Sequence, residues 1–157
     1  MTAKVATDSA GVIAPAPVLY AVALLVGLAI EFALPTTVLP RVAGLWLGAA
    51  MIVISIPIVI SAVLALRRGR TAFDARKPST GIVTDGAFCF SRNPTYLSLT
   101  LLYVGVALIL DSRWILIMCV PAAALTHWGV VLREERYLKR KFPEEYRKYS
   151  QKVRRWI

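Results

Sequence analysis

The sequence predicts an all-α membrane protein with four transmembrane helices, a long cytoplasmic loop and an amphipathic helical tail. Three observations point there. Of 157 residues, 57% are hydrophobic, and the mean hydropathy is +0.62, too apolar for a water-soluble domain of this length. Four apolar stretches, at about 17–34, 43–66, 96–110 and 114–132, stand between short polar or proline-bearing segments. Lys and Arg outnumber Asp and Glu by 19 to 9, and the cations crowd into two segments.

Taken in order, residues 1–16 read as a poorly ordered tail, with Lys4 and Asp8 ahead of an uncleaved first helix. Pro15 and Pro17 mark the entry to that helix. Pro35 and Pro40 bracket the first outer loop, since each lacks an amide donor and stops propagation. Pro57 is expected to kink the second span. The loop 67–95 holds Lys77-Pro78-Ser79-Thr80-Gly81 and Asp85-Gly86, which favour an irregular path, and a loop this long suits binding. The third stretch falls short of the roughly 17–25 residues a span needs, so it is tilted or starts below the headgroups. The fourth runs on to about Lys141, and Pro143 opens a separate helix with Glu144 and Glu145 in its first turn. Leu138, Phe142, Tyr146, Tyr149, Val153 and Trp156 form an apolar stripe at helical spacing, read as a tail lying on anionic lipid. The whole is one domain, 1–157, with a tail from 133.

Charge sets the orientation. Arg67, Arg68, Arg70, Arg76, Lys77 and Arg92 lie in the second loop and ten more cations follow Leu132, whereas the outer loops hold Arg41 and Arg113. The positive-inside rule puts both termini and the 67–95 loop in the cytoplasm, as in a multi-pass protein of a bacterial or archaeal inner membrane. Cations flanking spans in this pattern argue against nucleic acid as the partner. Cys89 and Cys119 are read as inert thiols. With no metal-ligand spacing, nucleophile elbow or glycine-rich phosphate loop in the sequence, metal, serine and nucleotide hydrolysis lack support.

The turn Asp111-Ser112-Arg113 makes the last two stretches a hairpin, with Tyr96 and Trp128 about 16 residues to either side of Ser112. At about 1.5 Å per residue each arm is roughly 24 Å long, so two clusters meet at one membrane face. These are Ser91-Arg92-Asn93-Pro94-Thr95-Tyr96 and Arg133-Glu134-Glu135. Asn93 and Pro94 suit helix initiation, and Arg92 and Tyr96 suit an interface, which is the structural reading. The functional reading is that Arg92 and the uncovered amides of this helix start receive a carboxylate. Glu134 is a solvated carboxylate if it points outward and an ammonium ligand if it turns back. Together the clusters match the two charged ends of an amino-acid moiety. His127, the one histidine, lies at the depth of Tyr96 to Ser98 and serves helix packing or proton transfer. Glu31, near the outer end of the first span, is read as snorkelling to the interface.

Several of these segments occur in a familiar order. Val83-Thr84-Asp85-Gly86-Ala87-Phe88, Ser91 to Leu97, Arg133-Glu134-Glu135-Arg136-Tyr137-Leu138 and Phe142-Pro143-Glu144-Glu145-Tyr146 resemble the isoprenylcysteine carboxyl methyltransferase and phospholipid methyltransferase superfamily. The resemblance covers about residues 78–157, and the first two spans add only hydrophobicity to it. It implies a membrane enzyme using S-adenosylmethionine, bound near the cytoplasmic face. Thr80, Gly81, Ile82 and Val83, with Phe88, would form one side of the cofactor site. Asn93, Pro94, Thr95 and Tyr96 would form another, next to the Arg92 that the charge reading already assigns to a carboxylate, and Glu134 resembles the carboxylate that holds the methionine ammonium. The chain has Asn93 where the carboxyl methyltransferases usually have histidine, Phe88 for tyrosine, and Pro143 for glycine after phenylalanine. Val130 stands where the eukaryotic enzyme has an arginine thought to meet the substrate carboxylate, a role His127 or Arg133 would then take.

The implied reaction is displacement at a sulfonium methyl by a lipid-like carboxylate, amine or thiol held in the bilayer, with positioning supplying most of the acceleration. An amine or thiol must lose a proton, and His127 is the candidate base. Two other readings stand beside it. Glu31 inside a span fits a small four-helix transporter, and a nicotinamide-dependent reductase on a related membrane fold would use the same site.

Overall fold

The computed structural model describes residues 9–71 and 76–157. Lys4 and Asp8 of the expected tail, and the stretch 72–75 of the long loop, lie outside the described residues. Six α-helices follow in order: α1 Ala16–Ala33, α2 Arg41–Arg68, α3 Pro94–Ile109, α4 Arg113–Thr126, α5 Leu132–Lys141 and α6 Pro143–Lys152. A 3-10 turn, Gly86–Cys89, precedes α3, and a π-helical segment, His127–Val131, joins α4 to α5 without a break. Among the described residues there is no strand.

The expected four spans need correction. Three helices among the described residues are long and apolar enough to cross a bilayer: α1, α2 and the continuous Arg113–Lys141. Helix α3 has 16 residues, about 24 Å at about 1.5 Å per residue, which is short of a full span. Its start is covered by protein instead of reaching a surface, because Pro94 is buried beneath the C-terminal segment. Apolar side chains such as Phe32, Trp46 and Val120 are more than 70% exposed, as expected where the solvent is lipid.

Helix boundaries follow the breakers. Pro residues stand at the first positions of α1, α3 and α6, where a missing amide costs nothing. Arg67 and Arg68 close the last turn of α2, favourable for its dipole. Ser112 caps α4 by accepting from the Ile115 amide at 3.2 Å. Helix α2 runs unbroken through Pro57.

Helix α2 lies against α3, and α1 against α4. The first pair crosses backbone to backbone, because an added Cβ on Gly48 would fall 2.6 Å from the Gly105 carbonyl oxygen, and one on Gly105 2.8 Å from that of Gly48. Gly44 meets the Leu108 carbonyl in the same way, so Gly44-Leu45-Trp46-Leu47-Gly48 is a small-residue contact of the kind that drives helix association in lipid. The second pair encloses a core of Tyr20, Ala23, Tyr103, Ala107, Ile115 and Ala122, in which the Tyr20 and Thr100 hydroxyls share a 2.7 Å hydrogen bond.

The end remote from the long loop is tied by two carboxylates. Glu31, at the outer end of α1, is held by its neighbours. It accepts from the Ser112 hydroxyl and from the amide and hydroxyl of Thr36. Asp111, in the left-handed region at φ 51°, accepts from the Val38 and Leu39 amides at 2.7 and 3.1 Å. Those amide donors, Val38 first, hold its carboxyl below the usual carboxylate range.

Gly48→Ala is expected to destabilise the protein by about 1–3 kcal/mol by overpacking, while lipid-facing Trp46→Phe is nearly neutral; thermal unfolding in detergent checks both. Because the Asp111 pKa is depressed by folding, its contribution is complete above the unfolded value of about 3.9 and is lost as pH falls through the folded one. Melting curves taken from about pH 6 down to about pH 3 are expected to show a steeper fall for the parent than for Asp111→Asn.

Candidate functional site

The two clusters predicted to converge do so. Tyr96, in the first turn of α3, donates its hydroxyl proton to Glu134 of α5 at 2.9 Å. Both line a cavity whose empty space, including its mouth open to solvent, is about 690 Å³. Gly81, Ile82 and Val83 from the loop, Phe88 from the 3-10 turn, and Arg92, Asn93 and Thr95 also line it. Gly86 makes the turn possible. At φ 59° it needs no side chain to strain, and the Ser61 hydroxyl of α2 accepts from the neighbouring Ala87 amide at 3.0 Å.

The adjacent carboxylates have separate partners. Glu135 is buried and takes the Arg155 guanidinium in a two-pronged bond of 3.0 and 2.9 Å. Arg92 Nη1 lies 3.5 Å from the same carboxylate and donates to the Tyr146 hydroxyl at 3.1 Å. Arg92 Nε is buried with no hydrogen-bond partner among the described residues. A buried guanidinium N–H beside a cavity is a donor waiting for an acceptor, and a ligand carboxylate would satisfy it. The Glu135 hydrogen bond raises the Arg155 pKa further, and burial pushes the Tyr146 phenol up to about 12, so it stays neutral.

The C-terminal segment completes the enclosure. The Arg154 carbonyl accepts from the Arg92 amide at 3.0 Å, and the Arg155 carbonyl accepts from Ser91 Oγ and Asn93 Nδ2 at 3.2 and 3.1 Å. Asn93 therefore does not use its side chain as the α3 cap, contrary to expectation. The stripe read as a lipid-facing surface also turns inward: Tyr146 and Tyr149 are buried and line the cavity, and the Tyr149 hydroxyl donates to the Phe88 carbonyl at 2.8 Å. Tyrosine in place of leucine or isoleucine at these stripe positions was the available signal. Leu66, Thr71, Ser79 and Leu138 also line the cavity and were not among the expected site residues.

Four expected residues sit elsewhere. Thr80 stands beside the cavity with its hydroxyl donated to the Arg70 carbonyl at 2.9 Å, and Pro94 is buried at the α3 start. The His127 ring lies 5.6 Å from that of Trp128 and 5.9 Å from that of Trp156. Arg133 donates to the Gly11 carbonyl at 2.8 Å. None of these four lines either this cavity or the next.

A second cavity, with about 1010 Å³ of empty space, lies alongside. Its wall is mostly apolar, from Val12, Ala14 and Pro15 through Val59, Leu99, Leu102 and Val130. Thr95 and Tyr96 line both cavities, so they form a shared wall between a polar chamber and an apolar one.

Comparison with known proteins bears on the family of the chain. A 62-residue stretch, 40% of the chain, is 39% identical to an uncharacterized protein of Haemophilus influenzae and covers 98% of that protein. No solved structure matches the chain. The family model described as phospholipid methyltransferase matches residues 43–145, which takes in all but the first two residues of α2 as well as both clusters and α3 to α5. The chain belongs to the phospholipid methyltransferase family, whose members transfer methyl groups to lipid-like substrates in membranes.

Proposed function

We propose that this protein transfers a methyl group from S-adenosylmethionine to a membrane-held, lipid-like acceptor at the cytoplasmic face. The observation that carries this is the pairing of Glu134 with a buried, unpartnered Arg92 N–H around one chamber. A carboxylate and a guanidinium are complementary to the ammonium and carboxylate of the cofactor's methionine part. Phe88, Ile82, Val83 and Leu138 offer apolar and π surface for its adenine, and Tyr96 and Phe88 offer ring faces to a cation. When bound, the cofactor supplies an electrophilic methyl carbon.

The protein's own work is to bind, orient and exclude water. Tyr96 is central to that work. Its hydroxyl orients Glu134, and its side chain separates the polar chamber from the apolar one. The acceptor's hydrocarbon part belongs in the second cavity, with its head group at the Thr95–Tyr96 wall. The cytoplasmic assignment rests on the cations of the long loop and tail, which lie on the same side as the chamber. His127 lines neither cavity, and the Glu31 carboxylate accepts from the Thr36 and Ser112 hydroxyls.

Calorimetric titration of the purified protein with S-adenosylhomocysteine is expected to show binding, and none at millimolar ligand would overturn the reading, as would binding of a nicotinamide dinucleotide instead. Glu134→Gln and Arg92→Met are each expected to weaken that binding by about tenfold or more, each losing one charge-assisted partner. Glu135→Gln separates scaffold from ligand. It breaks a buried ion cluster and is expected to cost about 3 kcal/mol of stability, read as a lowered melting temperature.

A further inference from the structure

The second cavity has a wall made by a segment outside the family match. Residues 12–17 supply Val12, Ala14, Pro15, Ala16 and Pro17 to its lining, whereas the match begins at residue 43. Two bonds hold this strap. The Ile13 amide donates to the Gly129 carbonyl at 3.2 Å, and Arg133 donates to the Gly11 carbonyl at 2.8 Å. Both acceptor positions are special. Gly129 lies in the π-helical segment, where wider winding alters the usual carbonyl pairing and π turns mark functional sites. Gly11 has φ +62°, a left-handed bend that turns the strap across the bundle.

The contact between strap and helix is unusually close. A Cβ on Gly129 would lie 2.2 Å from Ile13 Cδ1 and 2.6 Å from its Cγ1, so the isoleucine rests on the bare glycine backbone. Any side chain at 129 must displace the outer part of the Ile13 side chain from this seat. The lining of the cavity describes what it admits. The Ser55 and Ser98 hydroxyl protons are already donated, to the Ile52 and Thr95 carbonyls at 2.8 Å each. Those hydroxyls have no proton left for a head group, and most of the surrounding side chains are apolar, with Arg76, Thr95 and Tyr96 as the polar part of the lining.

We infer that the strap is a latched wall of a hydrocarbon-chain site, and that the Ile13–Gly129 contact sets which acceptor tails the second cavity accepts. This rests on the methyl-transfer reading for its role in the reaction. The ligand class is the single aliphatic chain of a membrane lipid or lipid-like acceptor. Ile13 and Gly129 are thus specificity-determining positions remote from the polar chamber.

The test uses the full-length protein in nanodiscs with a palmitic acid carrying a diazirine near its methyl end, and maps photolabelled residues by mass spectrometry. Labelling is expected on residues 12–17 and on Leu99 and Leu102. Gly129→Ala is expected to change strap labelling by about tenfold, the effect of a methyl group in an apolar pocket, and Ile13→Ala in the same chain to restore it. S-adenosylhomocysteine titration of these variants is expected to match the parent. Labelling that avoids the strap, or that Gly129→Ala leaves untouched, overturns the inference. A failed titration of the parent alongside intact strap labelling overturns the methyl-transfer reading while supporting the chain site.

Discussion

The buried carboxylate of Glu135 is the constraint on which the chamber depends. It is shared by Arg155 from the chain's end and Arg92 from the approach to α3. Removing charges from water is costly, and the cost is recovered only when geometry is good and remaining donors are satisfied. Here Arg155 meets it with two bonds, and Tyr146 takes a further Arg92 proton. The cluster draws three sequence-distant segments onto one point. It also leaves Arg92 Nε buried without an acceptor among the described residues, beside the chamber that Arg92 lines.

A second constraint comes from lipid, where apolar surface brings no hydrophobic drive to helix association. Close backbone contact then matters more. The Gly48–Gly105 crossing locks α2 to α3, and the Ser61 hydroxyl at the far part of α2 positions the turn carrying Phe88. The glycine crossing and the chamber wall are therefore parts of one rigid arrangement. Tyr96 stands at its centre, facing the polar chamber and the apolar cavity together.

Much of this was legible in the sequence because the signals were local. Apolar runs, prolines at helix starts and the distribution of cations respond to single segments, and the hairpin turn at Asp111 brings Tyr96 and Trp128 to one level by simple counting, with Glu134 six residues beyond. Counting the short α3 as a fourth span failed for a reason outside the segment: its start is sheltered by the C-terminal segment, so it needs no bilayer-length run. The tail stripe failed similarly. Periodicity tells which residues share a face, but not whether lipid or protein receives that face.

The sequence alone determined a membrane-embedded helical protein, its family resemblance and the pair of clusters that meet, since hydropathy, helix rise and turn chemistry act over a few residues. Tertiary structure alone decided that Glu134 and Glu135 have different partners, that Arg155, Tyr146 and Tyr149 close the chamber, and that His127 and Arg133 stand outside it. Neighbouring side chains on a helix diverge by about 100°, so their roles depend on what each direction meets. That is a property of segments far apart in the chain, and it exists only once they are assembled.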